Sequence, residues 1–298
     1  MTAASSNVPS SPPLSGLHLL LTYQCTFECD HCFVWSGPFQ TGTMTLDTVD
    51  HILAEAEKLG TIEWIYFEGG EAFLYYAILR HGVLQAKEKG FKVGIVTNAY
   101  WANSESDALE WLRPIAGSID DLSISSDGYH HSGEDYRNSE IARAAARDLG
   151  MPVDFISVAE PGASGGSAVL FRGRAAELLA SKVPSVPWQE FTECPWENLR
   201  HPQRVHVDPF GNLHICQGIS IGNLLERPLT EMVADFRPDE HPIIGPLLDG
   251  GPAEIVSRYE LAKEDGYADH CHLCYESRRA LRSQFPDVLT PDQMYGNA

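Results

Sequence analysis

The chain has 298 residues, with 21 Lys+Arg against 41 Asp+Glu and a formal net charge of −20. Hydrophobic residues make up 43% and charged residues 21%, an ordinary globular balance that excludes collagen-like, coiled-coil and disordered classes. The longest apolar runs, such as Leu19-Leu20-Leu21, fall far short of the ~18 residues a membrane span needs. Such acidity makes a poor partner for nucleic-acid phosphates, and it suits solubility or a cationic substrate.

Met1 to Gly16 is rich in Ser, Pro and Ala and lacks the charged start and apolar core of a signal peptide. Residues 1–16 therefore read as a disordered tail, and the protein as cytoplasmic. In that compartment seven cysteines favour metal ligation or catalysis over disulfides.

Strand candidates follow at His18–Tyr23, Ile62–Phe67, Lys92–Thr97, Leu122–Ser125, Val153–Val158 and Ala168–Phe171. Each is a nearly continuous apolar run, as in a parallel sheet covered by helices. Leu46, Val49, Ile52, Leu53, Ala56 and Leu59 have helical spacing after Thr45, a plausible N-cap. Further helical patterns fall at Leu74–Lys89, Glu105–Leu112, Glu140–Leu149 and Arg174–Leu179. Six β/α units over 17–184 predict an α/β fold, a partial (β/α)6 TIM-like barrel with its chemistry on loops at the C-terminal strand ends. From Pro184 onward prolines are frequent and Asp208-Pro209-Phe210-Gly211-Asn212 reads as a hairpin turn. The last four cysteines fall here, so a small Cys-rich domain is expected at 185–280 and a C-terminal tail at 281–298.

Cys25, Cys29 and Cys32 form a C-x3-C-x2-C run just after the first strand. Three thiolates on one short loop can hold three corners of a [4Fe–4S] cube and leave the fourth iron open to a small molecule. A structural zinc site is the bland alternative, with His31 awkwardly placed as a fourth ligand. Gly69-Gly70-Glu71 follows the second strand, where paired glycines let backbone come close to a ligand and a carboxylate can meet an ammonium group.

Together these motifs resemble the radical S-adenosylmethionine (SAM) enzymes. The resemblance implies that Cys25, Cys29 and Cys32 bind a [4Fe–4S] cluster whose open iron chelates SAM. The reduced cluster then cleaves SAM to methionine and a 5′-deoxyadenosyl radical, which takes a hydrogen atom from substrate. His31 falls at the position meeting the adenine, and Gly69, Gly70 and Glu71 at the methionine amino group. Ser123-Ile124-Ser125-Ser126-Asp127-Gly128 and Asp135-Tyr136-Arg137 are similar to the Ser-x-Asp-Gly…Arg pattern of members with extra C-terminal clusters. This assigns Ser125 and Arg137 to SAM. Thr97-Asn98 matches a Thr-Asn-Gly turn, with Asn98 in the cofactor set, but Ala99 replaces the glycine.

Cys194, Cys216, Cys271 and Cys274, with the hairpin, resemble the Twitch domain, a shortened SPASM domain holding an auxiliary [4Fe–4S] cluster. Zinc is the alternative occupant. Three plus four cysteines leave none to return a hydrogen atom, as peptide and sugar epimerases require. Loss of a proton and an electron is then expected, oxidising a secondary alcohol to a ketone as Twitch dehydrogenases of aminocyclitols do. Cys194 is the weak point: without it among the ligands, epimerisation returns. Asp127, Tyr129 and His130, with His131, lie after the fourth strand as candidate bases. Arg172 and Arg174 after the sixth strand could touch SAM or substrate, or form a helix-start ion pair.

The expected substrate is a small polyhydroxylated metabolite, such as a cationic aminoglycoside or aminocyclitol in antibiotic biosynthesis. Flavodoxin or ferredoxin is the expected reductant, with no nucleic-acid or membrane partner. The competing classes are an epimerase, a maturase of a ribosomally made peptide, and a non-catalytic zinc protein.

Overall fold

A computed structural model describes residues 14–130, 136–162 and 166–297. Residues 1–13 of the expected tail, together with His131 and Asp135, lie outside the described residues. Residues 14–16 belong to the fold instead. Leu14 is buried in the core, and Gly16 opens the first strand.

β/α units run in chain order: β1 (Gly16–Leu20), α1 (Leu46–Leu59), β2 (Trp64–Glu68), α2 (Tyr76–Glu88), β3 (Lys92–Thr97), α3 (Glu105–Leu112), β4 (Asp121–Ser125), α4 (Arg137–Asp148) and β5 (Val153–Ile156). Thr45 caps α1 through its side chain, which accepts from the Thr48 amide. After α5 (Arg174–Leu178) the chain forms β6 (Val186–Pro187), β7 (Arg204–Val207), β8 (Asn212–Cys216), β9 (Ile219–Asn223), α6 (Leu229–Asp235), α7 (Ile244–Arg258), β10 (Gly266–Tyr267) and α8 (His270–Leu281).

Among the described residues one eight-stranded sheet has the order β5-β4-β3-β2-β1-β7-β8-β9. Its first six members are parallel, and β7–β9 form the antiparallel hairpins expected around Asp208. This is an α/β architecture with a mostly parallel, partial-barrel sheet. The alternation of strand side chains explains its two faces. Leu17, Leu19, Ile65, Phe67, Val93, Ile95, Leu122 and Ile124 pack outward against Val49, Ile52, Leu53, Leu79 and Val83 of the helices. The alternate positions, including His18, Tyr66, Glu68, Val96 and Ser125, turn to the other face.

The sixth expected strand, Ala168–Phe171, is absent. Its backbone donors go elsewhere: the Phe171 amide bonds the Asp269 carboxylate, and the Arg172 amide bonds Leu170 O. The place beside β1 is taken by β7, from the segment assigned to the small domain. Residues 281–297 also differ from a loose tail. Leu289, Met294 and Tyr295 are buried, and Gln293 Nε2 donates to the carbonyls of Val34 and Trp35.

Helix α7 ends in a Schellman motif. The Leu261 amide bonds Val256 O, and the Glu260 amide bonds Ser257 O. Exposed Glu260 occupies the left-handed position at φ 50°, where glycine is favoured, and its charge opposes the helix dipole. Glu260→Gly is expected to stabilise the protein by about 1 kcal/mol, the left-handed relief exceeding glycine's unfolded-state entropy. For a chain of this size the midpoint of thermal unfolding should rise by roughly 2 °C.

Candidate active site

The loop after β1 carries the three early cysteines, and two backbone crossings hold it. The Gly70 amide donates to Thr22 O at 2.7 Å, and the Glu71 amide to Gln24 O at 2.9 Å. A Cβ on Gly70 would lie 2.1 Å from Gln24 O, and one on Gly69 2.5 Å from Thr22 O. The glycines thus let the end of β2 lie directly on the chain leading into Cys25. From the other side Arg174, itself buried, donates to Cys29 O at 2.8 Å and Ser36 O at 2.7 Å. Arg174 therefore braces the loop; the expectation that it touches a ligand or forms an ion pair is replaced.

Cys25, Cys29 and Cys32 line one cavity of about 270 Å³ with His31, Gly69, Gly70, Asn98, Ser125 and His130. Amide donors aim at two of the sulfurs: Phe27 at Cys25 Sγ, 3.4 Å, and Ser36 at Cys32 Sγ, 3.3 Å. Asn98 Nδ2 approaches Cys25 Sγ at 3.5 Å. Burial pushes the Cys25 thiol up to about 12 and raises Cys29 as well, and neighbouring thiolates add to both shifts. Crowded, buried thiolates become favourable around a cationic centre, which deprotonates its coordinating thiols outright. Three converging thiols with amide donors on the sulfurs and an open cavity beside them fit a [4Fe–4S] cluster and its ligand.

Glu71 does not join that lining. Its Oε1 accepts from the Phe73 amide and Thr97 Oγ1, and its Oε2 accepts from the Asn98 amide at 2.7 Å. The carboxylate is buried, and burial raises its pKa to about 7 against these three donors. Its geometry is that of a positioning group that fixes Asn98 in the cavity wall. Ala99 adopts the left-handed conformation, φ 58°, without the glycine. Its amide is held by Thr97 Oγ1, to which Trp101 Nε1 also donates. Trp101 stacks on Phe73 at 4.6 Å, a packing role that the tryptophan spacing did not reveal.

The loop after β4 brings Asp127 and His130 together. Asp127 Oδ1 meets His130 Nδ1 at 2.7 Å and accepts from the Tyr129 amide, while Oδ2 accepts from the Val158 amide. Burial works to raise the Asp127 carboxyl, but His130 and the backbone donors hold it below its ordinary value. A carboxylate on Nδ1 fixes the His130 ring and leaves Nε2 as the proton acceptor. The Tyr129 ring packs against His31, whose pKa burial lowers to about 4, with His130 adding to the shift. Arg137 opens α4 at an exposed position outside the described cavity lining.

A second cavity of about 330 Å³ adjoins the first through His31, Phe33 and Val158 and reaches Arg172 and Trp196. Behind it lie the late cysteines. Cys271 and Cys274 sit one helical turn apart on α8, and Cys216 ends β8. Burial raises the thiols of Cys194, Cys271 and Cys274, and the neighbouring Cys216 adds to each shift. Arg172 Nη1 lies 3.3 Å from Cys216 Sγ, so it faces the late cysteines. Four thiols in one neighbourhood supply the donor types of a closed cluster or a zinc ion, and no three of their sulfurs lie within 4.8 Å of one another.

Residues 19–159 match the family model for the Radical SAM superfamily. This stretch is similar to radical SAM domains. YydG of Bacillus subtilis (strain 168), named as a peptide biosynthesis protein, is 31% identical over 111 residues, covering 37% of this chain and 35% of YydG. A tungsten-containing aldehyde ferredoxin oxidoreductase cofactor-modifying protein of Pyrococcus furiosus is 35% identical over 83 residues, covering 28% of this chain and 23% of its own. The chain thus spans about a third or less of these relatives. In fold it is similar to BtrN, crystallised in complex with AdoMet and 2-DOIA, with a TM-score of 0.51 at 16% identity over 74% of this chain and 82% of BtrN. Radical SAM domains bind a [4Fe–4S] cluster and SAM, consistent with the thiol-lined cavity.

Arg174→Ala should lose two charge-assisted hydrogen bonds, each worth about 1.5–3 kcal/mol. The expected outcome is lower iron retention by the purified protein, with the late-cysteine region intact by limited proteolysis.

Proposed function

We propose that this protein is a radical SAM oxidoreductase that oxidises a secondary alcohol to a ketone on a small polyhydroxylated metabolite, of aminoglycoside or aminocyclitol type, in natural-product biosynthesis. The observation that carries the reading is the placement of all seven cysteines. Three line the ligand cavity, and Cys194 lies with Cys216 and Cys274 in the second set. No further cysteine is left to return a hydrogen atom to a carbon radical, as epimerisation requires.

A [4Fe–4S] cluster with SAM, held at Cys25, Cys29 and Cys32, supplies hydrogen-atom abstraction when bound. Gly69, Gly70, Asn98, Ser125 and His31 form the walls against which SAM would lie. Oxidation of an alcohol removes one hydrogen as an atom, a second as a proton, and one electron. His130, oriented by Asp127, accepts the proton. The late cysteines hold the electron acceptor, an auxiliary [4Fe–4S] cluster in this reading. A flavodoxin or ferredoxin is the reductant. Among the described residues no helix is long and apolar enough to cross a membrane, and we assign the protein to the cytoplasm.

A second reading is maturation of a ribosomally made peptide. The name of YydG supports it, and so does the second cavity. Val158, Ala168, Val169, Leu170 and Trp196 line that cavity and suit an apolar side chain better than a polyol.

Anaerobic reconstitution with iron and sulfide should yield roughly eight iron atoms per chain if both sets hold cubes. About four, with zinc present, would remove the auxiliary cluster. With SAM, reductant and a panel of aminoglycosides, ketone should form with one equivalent of 5′-deoxyadenosine. Solvent deuterium at an inverted carbon would establish epimerisation instead, and modification of peptides alone would establish the second reading.

A further inference from the structure

The floor of the barrel holds a group of side chains that the radical chemistry leaves unused. Parallel register sets His18 of β1 opposite His206 of β7 on one side and opposite Tyr66 of β2 on the other. Glu68 lies two residues beyond Tyr66, on the same strand face, and reaches His18 diagonally. Both imidazoles converge on one carboxylate oxygen. Glu68 Oε1 is 3.3 Å from His18 Nδ1 and 3.1 Å from His206 Nε2. One ligand atom from each of the three residues lies within 4.8 Å of the other two.

We propose that His18, Glu68 and His206 bind one divalent first-row transition-metal ion. Ligands about 2.0–2.2 Å from a common ion stand about 3.0–3.5 Å apart, and both observed separations fall in that range. Two imidazoles and one carboxylate are a donor set suited to zinc or iron(II), with further positions left open. The surroundings are those of a prepared site. His206 is buried, with a side chain 8% exposed, and its Nε2 is aimed at the Glu68 carboxylate. His18 is fixed by stacking on Tyr66, with ring centroids 4.7 Å apart.

The location gives the site a use. Glu68 also lines the cavity that contains Cys25, Cys29 and Cys32. An ion held there would share the Glu68 carboxylate with the wall of the ligand space. The site also joins the two halves of the chain, since His206 comes from the late segment.

The test uses the anaerobically reconstituted full chain, dialysed against a chelator and titrated with Co²⁺. One equivalent should bind with the d–d absorption of nitrogen and oxygen ligands and without a thiolate charge-transfer band. His18→Asn and His206→Asn should each weaken binding by more than about 100-fold while the visible iron–sulfur absorbance stays unchanged. Glu68→Gln provides a third variant should either histidine change unfold the chain. A thiolate band would place the cobalt at cysteines and overturn the proposal. So would cobalt affinity unchanged in the variants, or no binding at all. None of these results depends on turnover, so the alcohol-oxidation reading can fail or stand separately.

Discussion

The site depends on a backbone contact that only glycine permits. At Gly70 the end of β2 comes so close to Gln24 that any side chain would collide with its carbonyl. Two amide hydrogen bonds, from Gly70 and Glu71, then fix the chain that leads into Cys25. The next residue extends the effect. The buried Glu71 carboxylate holds Thr97 and Asn98 at the end of β3, and Asn98 in turn reaches Thr26 and Cys25. The ends of β2 and β3 are tied to the loop after β1 through largely buried hydrogen bonds.

Much of this was legible in the sequence. Nearly continuous apolar runs located β1 to β5, because each is buried by helices on its outer face. The C-x3-C-x2-C loop, the glycine pair and Ser125 fall together on one cavity. What escaped was set by long-range contacts. Ala168–Phe171 has strand composition, but Asp269, nearly a hundred residues away, takes the Phe171 amide. The Glu71 side chain turned to Thr97 rather than to the cavity, a choice that depends on β3 lying alongside β2. Asp127 and His130 were visible as a cluster of titratable residues, but their pairing needed the loop geometry.

Composition also suggested a boundary near residue 184 that the sheet does not respect. β7 lies beside β1 in parallel register, so residues about 190 apart in sequence share one set of hydrogen bonds. Residues near the C-terminus then return to the cysteine loop through Gln293 on Val34 and Trp35. The two cysteine sets are therefore held in a common frame, which keeps the cavities between them contiguous through His31, Phe33 and Val158.

The charge distribution makes a separate argument for what those sets hold. The chain carries a net charge of −20, and its basic residues are few. Even so, Arg174 and Arg278 are buried, and the Arg172 side chain is only 12% exposed. Burying a guanidinium costs several kcal/mol unless an anion compensates. Arg174 bonds the carbonyls of Cys29 and Ser36, and Arg278 those of Cys274 and Gln217. Arg172 meets Cys216 Sγ, with Glu197 farther off at 3.9 Å. Carbonyls alone are weak compensation for Arg174 and Arg278, and Glu197 is a distant partner for Arg172. Sulfur-borne negative charge at both cysteine sets would supply the missing anion, as it does when thiolates gather around a metal centre. The cations and the cysteines thus make energetic sense together and little sense apart.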